Sequence, residues 1–116
     1  MQLTLLHGYP DYIGKRWAFC GFGVGPKSYT QKTGTATSAE GGGDIVQIPR
    51  FQNYFDIIFP AMSLSGTYLV YPYPVASGAR QTWALKWVTA STGAEVSAAT
   101  DLSAETVQLA GFGGDY

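Results

Sequence analysis

The stretch Arg80-Gln-Thr-Trp-Ala-Leu-Lys-Trp-Val-Thr89 decides how the rest of the chain is read. Trp83, Leu85 and Trp87 recur at every second position, with Thr82, Ala84 and Lys86 between them. Successive side chains of a strand point to opposite faces, so this period describes a strand with one buried face. The aliphatic Leu85 between the two tryptophans marks that face as core rather than as an exposed platform for stacking sugars.

The same period appears upstream. In Tyr54 to Phe59 it sets Phe55, Ile57 and Phe59 against Tyr54, Asp56 and Ile58, and in Thr67 to Tyr73 it sets Leu69, Tyr71 and Tyr73 against Tyr68 and Val70. Pro72 and Pro74 cannot donate to a ladder, so this strand is expected to end there or to lie at a sheet edge. Turn signals separate the runs: Pro60 to Gly66, Pro74 to Gly78, and Ser91-Thr-Gly93, which turns the chain into Ala94 to Ala98 as a hairpin. Four strand-like runs in close succession predict an antiparallel meander or sandwich.

The first half is less regular. Leu3, Leu5 and Leu6 suggest a short strand, and Trp17 to Val24 another, whose glycines mark a bulge or a close backbone approach. Residues 25–43 form a long loop dominated by Gly, Thr, Ser and Lys, and Asp44 to Ile48 is a short strand closed by Pro49. Near the C-terminus two readings compete. Asp101 or Ser103 caps a short helix with Glu105 in its first turn and Gly111 at its end, or a strand runs through Thr106 to Ala110 with Val107 and Leu109 inward. The strand is preferred. The tail 111–116 is flexible by composition and carries Phe112 and Tyr116. The expected fold is all-β, an antiparallel β-sandwich or barrel in one domain over 1–116, with at most one short helix.

Composition narrows the function. Charged residues are 13% of the 116, against about 25% in ordinary soluble domains, while 46% are hydrophobic. Such a surface is either rich in neutral polar groups or partly covered by other subunits. The net charge of −1 provides no basic field for nucleic acid or acidic lipid. The first residues lack the pattern of a signal peptide, and no apolar run is long enough to span a bilayer as a helix, so a soluble protein made in a cytoplasm is expected.

The chemical motifs are sparse. Gly21-Phe-Gly-Val-Gly-Pro26 has the spacing G-x-G-x-G followed by Pro, where a dinucleotide site needs G-x-G-x-x-G opening a helix. His7 is the single histidine and Cys20 the single cysteine; with Asp11 they form no catalytic motif, and scattered carboxylates offer no zinc or calcium spacing. No catalytic residue, metal ligand or cofactor site is therefore expected. The aromatic side chains are the remaining candidates, with Tyr68, Tyr71, Tyr73, Phe112 and Tyr116 forming a protein interface. An alternative is a carbohydrate-binding sandwich module that stacks sugars on exposed Trp or Tyr.

Three features, the loop 25–43, the hairpin from Trp83 to Val96 and the tail from Leu109 to Tyr116, give a profile that resembles small virion proteins of tailed bacteriophages. These include capsid decoration, head–tail joining and tail-associated proteins, which are short, β-rich and poor in charge, Cys and His. The resemblance is one of character over the whole chain and carries no functional residue across. It implies a location in the virion and a non-enzymatic homo-oligomer that contacts itself and other virion proteins.

Overall fold

The computed structural model describes residues 1–13, 16–32, 42–48, 55–77 and 80–114, and every regular element among them is a strand. The tryptophan stretch is β8 (Arg80–Thr89), paired antiparallel along its whole length with β7 (Tyr68–Ser77). Trp83, Leu85 and Trp87 are buried on its inner face, and Val70 faces Trp87 from the neighbouring strand. β4 (Asp44–Ile45) flanks β8 on the other side and β6 (Ala61–Met62) flanks the start of β7, giving the order β4-β8-β7-β6. β7 does not stop at its prolines. It runs through Pro72 and Pro74 along a stretch that β6 does not reach. The segment expected to turn at 74–78 is therefore strand as far as Ser77.

The second sheet is built around a ladder between distant parts of the chain. β3 (Arg16–Val24) pairs antiparallel with β9 (Thr106–Gly114) from Arg16↔Gly114 to Val24↔Thr106. β1 (Thr4–Leu5) and β2 (Asp11–Ile13) both pair with the far side of β3, and β5 (Phe55–Ile58) pairs with β9. The two antiparallel sheets pack face to face as a β-sandwich. Their inner faces merge in one core that includes Trp17, Phe19, Phe55, Val70, Leu85, Trp87, Val107 and Leu109. Bridges between Gln2 and Gln47 and between Ser63 and Val107 stitch the sheets at two corners.

Two sequence expectations change here. First, Gly111 to Gly114 are not a flexible tail but the second half of β9, paired with β3 on one side and, through Gly113, with β5 on the other. The reason is steric. A Cβ on Gly113 would lie 2.2 Å from the Trp17 ring, and one on Gly111 would lie 2.2 Å from the Ile57 carbonyl oxygen and 2.9 Å from the Phe19 ring. Glycine leaves the room in which Trp17, Phe19 and Phe55 stack, with ring centroids 5.2 to 5.8 Å apart.

Second, the alternation of 54–59 breaks. A β-bulge between Phe55 and Ile57 inserts Asp56, so Phe55 and Ile58 point inward while Ile57 and Phe59 are exposed. The preferred strand through Thr106 to Ala110 is present as part of β9, and no helix occupies 101–110. The Asp101 carboxylate accepts bonds from the Ser103 backbone N–H (2.9 Å) and hydroxyl (2.6 Å), which is the capping chemistry of a helix start used for a turn that leads into β9. Those two bonds hold the Asp101 carboxyl below its ordinary pKa.

Candidate functional site

The expected interface residues do not come together on one surface. Tyr68 points inward and packs edge-on against Trp87, with ring centroids 5.9 Å apart. Tyr71 and Tyr73 alternate with it and lie on the outer face of the β7–β8 sheet, Tyr71 exposed and Tyr73 half-buried. Phe112 lies on the outer face of the other sheet, on the opposite side of the sandwich. Tyr116 lies outside the described residues, as do residues 33–41 of the long loop.

Phe112 is the centre of a surface that the sequence pattern did not reveal. The register places Ala18, Phe112 and Ile57 in one row across β3, β9 and β5. Phe59 continues it, with its N–H bonded to the Ala110 carbonyl and its ring edge-on to Phe112 at 6.0 Å. Phe112, Ile57 and Phe59 are each 40 to 43% exposed, so three large apolar side chains meet water side by side. The Arg16–Asp56 ion pair, 3.4 Å apart, lies beside this strip. Isolated exposed hydrophobic residues are ordinary, whereas a contiguous strip on a flat sheet is the usual mark of a contact surface. The signal missing from the sequence was the bulge at Asp56, which turns Ile57 and Phe59 outward.

The tryptophans are not available to a ligand. All three are buried, and two spend their indole N–H inside the protein. Trp83 Nε1 donates to the Phe55 carbonyl at 2.9 Å, and Trp87 Nε1 to Asp44 Oδ2 at 3.2 Å. The other Asp44 oxygen accepts from the Met1 amino group. Buried polar atoms need such partners, and these leave the indoles no role at a surface.

The described part of the long loop is held by the chain itself. The Tyr29 hydroxyl donates to Glu95 Oε2 at 2.8 Å and accepts from the Trp87 backbone N–H at 3.1 Å. The Lys32 backbone N–H reaches the same Glu95 oxygen at 2.5 Å, and the Gln31 side chain donates to the Val96 carbonyl. The hydroxyl thus caps a backbone donor of β8. Burial, reinforced by the Glu95 carboxylate, pushes the Tyr29 pKa well above its ordinary value.

The remaining candidates are dispersed. His7 is exposed in a turn, and Cys20 is half-buried on β3, where its sulfur accepts from Gln108 Nε2 at 3.2 Å. Gly21 and Gly23 lie within β3 rather than in a phosphate loop, and a Cβ on Gly21 would meet the Thr4 carbonyl at 2.7 Å. A groove of about 240 Å³ runs between Gln2, Thr4, Phe22, Val24 and Thr106. It contains no titratable side chain and is smaller than the roughly 300 to 1,000 Å³ of ordinary ligand pockets. Among the described residues no group of three or more His, Cys, Asp or Glu is placed to hold a metal ion, and no helix is long and apolar enough to cross a membrane. Compared with family models, curated proteins and solved structures, the chain gives no match.

Proposed function

We propose that this is a non-enzymatic structural assembly protein, working through protein–protein contacts as a homo-oligomer and as a component of a virion, in capsid decoration or in the head or tail. The observation that carries the assembly reading is the strip of Ile57, Phe59 and Phe112 on the outer face of the β3–β9 sheet. Flat apolar sheet faces with few charges suit permanent contacts between subunits. Tyr71 and Tyr73 on the opposite face offer a second, more polar contact, as a subunit with neighbours on both sides needs. The virion setting is supported by the compositional resemblance alone.

A sugar-binding role would fall to tyrosines such as Tyr12 and Tyr71, because the tryptophans are enclosed. The test is the mass of the full chain in solution, measured by light scattering across a range of concentrations, for the wild type and for Phe112→Lys and Tyr71→Lys. The expected result is a defined oligomer that Phe112→Lys breaks down while the variant stays folded. A wild type that remains monomeric at high concentration, with a tyrosine signal that responds to a glycan panel, would overturn the assembly reading in favour of a carbohydrate-binding module.

A further inference from the structure

Beyond Val70 the edge of β7 has no partner strand among the described residues, and the hydrogen-bond parity of the sheet determines what that edge presents. The Val46 N–H donates to the Trp83 carbonyl, and the Val96 N–H to the Trp87 carbonyl. The backbone groups of 83, 85 and 87 therefore point away from β7, and those of 84, 86 and 88 point toward it. Their partners are Tyr73, Tyr71 and Leu69, so these three, followed by Val75 and Ser77, are the β7 residues bonded to β8. The alternate residues, Tyr68, Val70, Pro72, Pro74 and Ala76, direct their backbone groups outward. The Tyr68 carbonyl confirms the parity by accepting from the Ser63 N–H on the β6 side.

β6 covers this outward side only at Leu69 and Val70. By Phe59 the chain has left for the other sheet, where its N–H bonds to Ala110. Beyond Val70, no strand among the described residues lies against the edge of β7. The next two outward positions are both proline. At each the ring stands where an N–H would point, so at 72 and 74 the edge offers carbonyl acceptors and no donor, and the next outward N–H is that of Ala76.

We propose that Pro72 and Pro74 close the free edge of β7 to strand addition, whether by a second copy of this chain or by another extended segment. An incoming strand needs alternating donors and acceptors, and here its carbonyls would meet two pyrrolidine rings with no N–H to bond. The placement is selective. Prolines one residue earlier or later would have removed bonds to β8 and broken the sheet from within. With this edge closed, a partner strand cannot extend the β4-β8-β7-β6 sheet alongside Pro72 and Pro74. The inference stands independently of the assembly role.

The test restores the donors. In the full chain carrying Phe112→Lys, which removes face contacts, the double change Pro72→Val with Pro74→Val is compared with its parent by light scattering and thioflavin fluorescence. Near-UV dichroism of the buried tryptophans reports the fold. The expected result is a folded variant whose mass rises with concentration and which binds thioflavin while the parent does not. A folded variant with the mass profile of its parent would overturn the proposal. If the double variant does not fold, the single changes Pro72→Thr and Pro74→Thr, each returning one donor, are read in the same way.

Discussion

The β7–β8 ribbon and the β3–β9 ladder are nearly equal in length, with ten and nine residue pairs, and they fill the sandwich in opposite ways. The ribbon joins neighbours in sequence and projects large side chains, Trp83, Leu85 and Trp87, into the core. The ladder joins residues far apart in sequence, and its β9 half supplies glycines on which the aromatic rings of β3, Trp17 and Phe19, rest. One pair of strands contributes volume and the other contributes room for volume. A close-packed interior needs both, because a core face made only of large groups cannot interdigitate. The difference extends to the surface, where the outer face of the ribbon carries Tyr71, Tyr73 and Lys86, and that of the ladder carries Phe112 beside Ile57.

The comparison is broken most severely from the ladder side. Gly111→Val forces a branched side chain into the Ile57 carbonyl and the Phe19 ring, and is expected to cost ~4 kcal/mol or more in chemical denaturation. A near-wild-type midpoint would show that β9 can shift away from its neighbours. On the ribbon side, Leu85→Ala leaves a void beneath a fully buried position and is expected to cost ~3 kcal/mol by the same measurement. A smaller loss would mean that the two flanking tryptophans collapse into the space.

Tyr29→Phe removes two hydrogen bonds, one from the Trp87 N–H of the ribbon and one to Glu95, with an expected loss of about 1 to 3 kcal/mol at neutral pH. Its pH dependence has a definite sign. Folding raises the phenol pKa, so the unfolded chain releases that proton first, from its ordinary value of 10.0 upward. The stabilisation is complete below that value and declines as pH rises above it. Thermal melts across that range should fall less steeply for Tyr29→Phe than for the wild type, and equal slopes would show that Tyr29 does not drive the decline. The smallest stability effect is expected from Tyr71→Lys on the outer face, within about 0.5 kcal/mol, so any change it makes in mass reports contact rather than folding.

The ribbon was legible because its evidence is local: period-two alternation runs through Thr67 to Tyr73 and Arg80 to Thr89, and the prolines hid only that β7 continues to Ser77. The all-β character, the buried tryptophan face and the inward Val107 and Leu109 follow from that kind of pattern. The ladder was not legible, since nothing in Gly111-Phe-Gly-Gly114 announces that Trp17 and Phe19 lie against it. A glycine-rich segment reads as loose when its neighbours are far away in sequence. The candidate site divides along the same line. Phe112 and the tyrosines were visible as aromatics on strands. Their distribution over two opposite faces depends on strand order, and the partners Ile57 and Phe59 depend on a bulge that alternation alone cannot show.

The position of β9 in the chain also sets a schedule for synthesis. A ribosome releases β7 and β8 as a finished hairpin before any of Thr106–Gly114 has emerged. Until it does, β3 and β5 have no strand between them, and Trp17 and Phe19 lack the glycine seat against which they pack. The nascent chain therefore carries an unsheltered aromatic cluster until Thr106–Gly114 emerges, and ladders between distant residues are the slow step in β-proteins. A ribosomal pause or a chaperone acting just before residue 106 would meet the protein at its stickiest, with one sheet formed and the other waiting for its central strand.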